Sequence, residues 1–104
     1  MALSDAGVET NRVALSGTLL EMDALRHSPA GVPILSFLLR HASSQIEAGR
    51  AREVECKVAA VALGDLARLL AERRPGDRVS LAGFLANRSH RSAQLVLHAT
   101  QLRD

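Results

Sequence analysis

Arginine and histidine cluster at three places in the chain: Arg26-His27, Arg50-Ala51-Arg52 and Arg88-Ser89-His90-Arg91. A guanidinium can form two parallel hydrogen bonds with a phosphate or lie flat on a planar ring, and an imidazole gains charge in mild acid, so these groups point to anion chemistry. Charge is segregated to match. Four arginines stand against one acid, Glu47, between Ala24 and Arg52, and two arginines against none between Ala86 and Ser92. The rest of the chain carries seven basic and ten acidic residues, so a net charge of +2 conceals two basic segments in an acidic background. For these segments to act together, the fold must bring them to one surface.

Other chemistry finds little support. No acid and base are paired at a motif spacing, and there is no Gly-rich phosphate loop or nucleophile signature, so no enzyme is expected. His27, His41, His90, His98 and Cys56 make no CxxC or HxxxH pairing, and neither a metal nor another cofactor is expected. Cys56 has no partner for an intramolecular disulfide, which suits a reducing cytoplasm. No stretch approaches the ~20 apolar residues needed to cross a bilayer. The first ten residues carry Asp5 and Glu9 rather than a basic leader, so neither membrane nor export is expected.

With 104 residues, 47% of them hydrophobic, the chain has material for one small core. Its only aromatic residues are Phe37 and Phe84, so leucine, valine and alanine must fill that core, and both rings are expected inside it. Residues 1–10 lack periodicity and read as a flexible extension, with one domain over 11–104. Such a small domain is marginally stable alone, and pairing with a second copy is expected.

The elements follow from hydrophobic period. Val13, Leu15, Gly17 and Leu19 alternate with Ala14, Ser16 and Thr18, predicting a strand from Val13 to about Asp23, bent or bulged near Gly17. His27 to Pro33 reads as a hairpin loop. A second strand is expected over Ile34–Ala42, with Leu35, Phe37 and Leu39 on one face; Ser43–Ala51 is expected as a polar loop. In the third strand Val54, Cys56, Val58 and Ala60 should face inward, Cys56 as a small buried hydrophobe, and Glu53, Glu55 and Lys57 outward. Leu63, Leu66, Leu69 and Leu70 form one stripe of a helix over Leu63–Arg73, stopped by Pro75-Gly76. Arg73, Arg74 and Arg78 around its end are expected to serve the dipole and solvent. A fourth strand runs from Val79 to near Phe84, a basic loop covers Asn87–Ala93, and a fifth strand starts at Leu95. His98 in that strand reads as a structural or interface residue.

Three strands, a helix, then two strands exclude a doubly wound sheet and match an all-β five-stranded Greek-key barrel of the OB type, with the helix between strands 3 and 4. In that fold the loops between strands 1 and 2 and between strands 4 and 5 meet at the rim of one face. This would bring Arg26 and His27 beside Arg88, His90 and Arg91, with Arg50 and Arg52 added from the loop between strands 2 and 3.

Further residues carry a resemblance. Asn11-Arg12 with Leu15-Ser16-Gly17-Thr18, Ser28-Pro29, Gly31 with Pro33, Glu47-Ala48-Gly49, Gly83-Phe84 and Val96-Leu97-His98-Ala99 resemble the primosomal replication protein N family, PriB, from Asn11 to about Leu102. The resemblance implies a homodimeric OB-fold protein that binds single-stranded DNA. It also implies a role with the PriA helicase and other primosome proteins in restarting stalled replication forks. The chain departs from the family where aromatic residues can stand, with Arg50 and Glu55 at those positions, and Ala42 replaces a basic residue. Stacking of ~1 to 3 kcal/mol per base is then largely missing, and weaker, more salt-sensitive binding is expected. Two alternatives stay open. One is an adaptor that docks on the helicase with little DNA affinity, using Glu55 for protein contact. The other is a general single-stranded DNA-binding protein, although the last residues, Gln101–Asp104, lack the Gly/Pro-rich linker and acidic tip expected of one. RNA is not excluded, since nothing reads a 2′-hydroxyl.

Overall fold

The computed structural model describes residues 9–103, so residues 1–8 of the expected extension lie outside the described residues. Six strands and one helix follow in the order β1 Val13–Met22, β2 Arg26–His27, β3 Pro33–Glu47, β4 Arg50–Leu63, α1 Asp65–Ala71, β5 Arg78–Asn87 and β6 Leu95–Arg103. Strand β1 pairs antiparallel with β5 over Val13–Thr18 and then with β3 over Thr18–Met22. Strand β3 pairs with β4, β5 pairs with β6, and a short parallel ladder of β4 with β6 joins the two halves. The circuit β1-β5-β6-β4-β3-β1 is a closed five-stranded barrel, the OB architecture expected from the pattern. Strand β2 is an extra pair at the edge of β3, formed where the hairpin loop was expected to begin.

Alternation decides what fills the barrel. Leu35, Phe37 and Leu39 of β3 point inward and meet Leu19, Val79, Leu81, Leu97 and Ala99 from the other strands. Six leucines are fully buried, each contributing about 1.5 to 3 kcal/mol by removal from water. Helix α1 closes one end by inserting Ala67 and Leu70, both without exposed surface. Only Leu66, Ala67, Leu70 and Ala71 face the core. The helix is thus shorter than expected, and its stripe omits Leu63 and Leu69, which are half exposed. Leu63 instead ends β4 opposite Ile34, continuing the outward parity of Ala59 and Val61.

Two glycines allow the barrel to close. A Cβ on Gly17 would lie 2.4 Å from the carbonyl oxygen of Arg40, and one on Gly83 1.8 Å from that of His98. Gly17 lies where β1 passes from β5 to β3, and Gly83 lies at the register shift between β5 and β6. A second shift follows Gly17 at Leu19/Glu21, close to the bend expected there. At the start of β1 the Asn11 amide imitates one more ladder pair: Nδ2 donates to the Leu85 carbonyl at 2.8 Å, and Oδ1 accepts from the Leu85 N–H at 3.0 Å.

The largest departure from expectation is the segment read as a loop over Ser43–Ala51. Strands β3 and β4 remain paired to Glu47↔Arg50, forming a hairpin arm beyond the barrel end. A two-residue turn joins them, with φ of 54° at Ala48 and 78° at Gly49, the signature of a type I′ turn. Val54 and Cys56 have the expected inward parity but lie past the last core layer. Cys56, opposite His41, is therefore exposed rather than buried. Phe37 is in the core, whereas Phe84 is 39% exposed on the outer surface, contrary to its expected place inside.

Replacing Gly83 or Gly17 by alanine should destabilise the fold by about 1 to 3 kcal/mol, as overpacking against a fixed backbone does. A urea midpoint equal to wild type would contradict that close approach. Replacing Ala48 by asparagine, which tolerates positive φ, should slow amide exchange along the arm; unchanged or faster exchange would contradict the turn geometry.

Candidate functional site

Outward-facing residues of the barrel form one row across four strands. Ser36 of β3 lies opposite Val61 of β4, Val61 opposite His98 of β6, and His98 opposite Phe84 of β5. Directly opposed side chains share a face of the sheet, so the row is a strip of neighbours. Beyond Ser36 it continues to Arg26, whose Nη1 donates to Ser36 Oγ at 3.1 Å. At the other end the Phe84 and His98 rings stack, with centroids 5.0 Å apart and planes 7° from parallel.

This strip crosses a hollow of about 710 Å³ floored by Val61, Ala59 and Ala60 and bordered by Ile34, Leu38 and Val96. Small side chains on β4 make the floor low. The walls come from two connections far apart in sequence: Arg26 from the segment between β1 and β3, and Arg88 from the segment between β5 and β6. Among the described residues neither arginine makes an ion pair, so both retain hydrogen-bonding capacity. Glu21 and Asp23 line the same hollow, which balances the two arginines in formal charge. A polyanion held here must therefore gain attraction from cations outside the hollow as well.

The other expected site residues divide into two groups. His27 in β2, and His90 and Arg91 in the β5–β6 connection, are exposed on the two segments that supply Arg26 and Arg88. That connection is closed by the Arg88 N–H donating to the Gln94 carbonyl at 2.9 Å and the Ser92 N–H to the Ser89 carbonyl at 3.2 Å, so its basic side chains sit on a structured turn. Arg50 and Arg52 lie instead on the hairpin arm, opposite Glu47 and Gln45, with the parity that continues into the barrel interior. Arg52 is engaged by Glu47 at 2.7 Å. The charged arm residues with the parity of the hollow are Arg40, Lys57, Glu55 and Glu53, and Arg40 pairs with Glu55. Of the seven expected residues two, Arg26 and Arg88, thus line the hollow, His27, His90 and Arg91 are exposed on the segments that carry them, and Arg50 and Arg52 lie apart on the arm.

The Phe84–His98 stack was not expected as part of a site. Its signal was present in the alternation: Ser80, Ala82 and Phe84 share one parity on the strand whose buried positions are Val79 and Leu81. Among the described residues no group of three or more His, Cys, Asp or Glu side chains could hold a metal ion, and no helix is long and apolar enough to cross a membrane.

Comparison with known proteins places this geometry among relatives. Residues 11–101 match a family model described as another single-strand binding protein family. Over 93 residues, covering 89% of this chain and 87% of the relative, the sequence is 47% identical to the replication restart protein PriB of Bordetella pertussis. The solved structure of PriB from Ralstonia solanacearum is similar with a TM-score of 0.83 at 39% identity, covering 91% of this chain and 97% of that one. The small single-stranded DNA-binding protein of Streptomyces coelicolor shares the fold with a TM-score of 0.71 at 16% identity, over 91% of this chain and 93% of that one.

Proposed function

The chain belongs to the PriB family of replication restart proteins, within the single-strand binding proteins, and from that membership we propose that it binds single-stranded DNA as a primosome accessory protein in replication fork restart. The observation that carries this reading is the convergence of Arg26 and Arg88 on one hollow with an apolar floor. Guanidinium groups engage phosphates by paired hydrogen bonds, while the apolar floor accepts sugars and bases, so an unpaired strand fits where a duplex would bury its bases elsewhere. Arg91 adds a further cation on the β5–β6 connection, and His27 and His90 are exposed on the same two segments. Binding of this kind releases counterions and weakens with salt. Because Glu21 and Asp23 offset the hollow's arginines, affinity is modest and the salt dependence is visible at moderate ionic strength.

The protein works as a cytoplasmic homodimer beside the PriA helicase, which it assists rather than replaces. Protein contact falls to the arm, whose outward parity carries Glu53 and Glu55 beside Arg40 and Lys57. The balanced charge of the hollow also favours a second reading, an adaptor that docks on the helicase and holds DNA only weakly.

Replacing Arg26 and Arg88 by alanine should weaken binding to oligo-dT across sequences and flatten the salt slope by about 0.7 for each lost phosphate contact. The Arg50 and Arg52 pair, replaced likewise, should change both much less. Fluorescence anisotropy with a labelled oligonucleotide measures this, since the chain has no Trp or Tyr; equal losses in the two double variants would contradict the division between hollow and arm. Absence of binding at low salt would leave the adaptor. For the homodimer, the mass in solution should be near twice 11.1 kDa at micromolar concentration; a monomer there would contradict it.

A further inference from the structure

We propose that the stacked Phe84–His98 pair is the base-stacking subsite of this face, taking one nucleobase of a single strand whose neighbouring phosphates lie on Arg26 and Arg88; the inference rests on the single-strand reading above. An exposed phenyl ring on a chain with only two aromatic residues is a conspicuous use of scarce material. Phe37 fills the core, yet Phe84 keeps 39% of its surface open to solvent. Its one ring contact is with His98, at 5.0 Å and nearly parallel, which already has the offset geometry in which aromatic rings attract. A base arriving there adds a third ring to a pile of two.

Position makes the occupant specific. The pair ends the row that begins at Arg26 and Ser36 and crosses Val61, so its base would lie in line with a guanidinium on the same face. Three strand intervals separate Ser36 from Phe84, about 14 Å at the usual strand spacing, enough for a few nucleotides of an extended strand. Ala59 and Val61, the outward residues of β4 between them, are short, leaving room above the sheet rather than filling it. An apolar side chain or a lipid would find the same ring, but neither would explain arginines from two separate segments bordering the hollow. Elsewhere, the arm from Ser43 to Lys57 carries no phenylalanine, tyrosine or tryptophan. The stacking otherwise missing from the arm is supplied on the barrel itself.

The test compares wild type, Phe84→Leu and Phe84→Trp on two labelled oligomers of equal length, oligo-dT and a strand of abasic residues, each titrated at several salt concentrations. Phe84→Leu should bind oligo-dT about 5- to 100-fold more weakly, as loss of one stacked base does, with the abasic affinity and both salt slopes unchanged. Phe84→Trp should retain or exceed the wild-type affinity for oligo-dT. A strand carrying 5-iodouracil should photocross-link to the peptide containing Phe84 or the one containing His98. Wild-type affinity of Phe84→Leu for oligo-dT, or equal losses on both oligomers, would overturn the subsite while leaving single-strand binding in place. If the wild-type protein binds neither oligomer at low salt, the single-strand reading itself fails, and the subsite with it.

Discussion

A small barrel can close only if strands exchange neighbours, and here that exchange depends on two points where backbones approach too closely for any side chain. Gly17 sits against the carbonyl of Arg40 as β1 leaves β5 for β3, and Gly83 sits against the carbonyl of His98 as β5 shifts register on β6. The second contact also fixes the functional surface. His98 and Phe84 are opposed partners beside Gly83, so the close approach that bends the ladder helps set the two rings side by side. Closure of the barrel and assembly of the outer row are thus consequences of the same local geometry.

From closure follows the division of labour between inside and outside. Leucines and alanines of one parity, with Phe37, fill the barrel and are sealed by Ala67 and Leu70 of the helix. The opposite parity, Ser36, Val61, His98 and Phe84, is free to form a shallow floor. The connections before β3 and after β5 then rise at its borders, each with an arginine turned into the hollow. The arm is a different object: it has ladder hydrogen bonds but no core beneath it. Its side chains, including Ile46 and Cys56, are exposed on both faces.

Those differences explain what could be read from residue order. Alternation reports burial of one face, so β1, the inner half of β3, β5 and β6 were legible, and with the helix they sufficed for the OB barrel. The arm was not, because Ser43 to Arg52 bury neither face and carry no period. Cys56 has the inward parity but lies beyond the last core layer, where alternation no longer reports burial. Leu63 joined the helix stripe because its spacing suits both a helix and a strand, and only its pairing with Ile34 separates them. Of the candidate site, Arg26 and Arg88 were placed together by the topology of an OB barrel. Arg50 and Arg52 were grouped with them because a loop imposes no parity, whereas a paired hairpin does. The ring stack is not legible from alternation as read, which places both phenylalanines inside, whereas Phe84 shares the outer parity of Ser80 and Ala82.

The outer row of the barrel, rather than the helix or the arm, is where a single strand should lie. Chemical-shift mapping by NMR tests this most directly, with isotope-labelled protein titrated with a short oligo-dT at low salt. Shifts should concentrate at Arg26, Ser36, Val61, Phe84, Arg88 and His98, with little change along α1. Perturbations confined to the arm around Arg50 and Arg52, or to the helix, with the row unmoved, would contradict the placement.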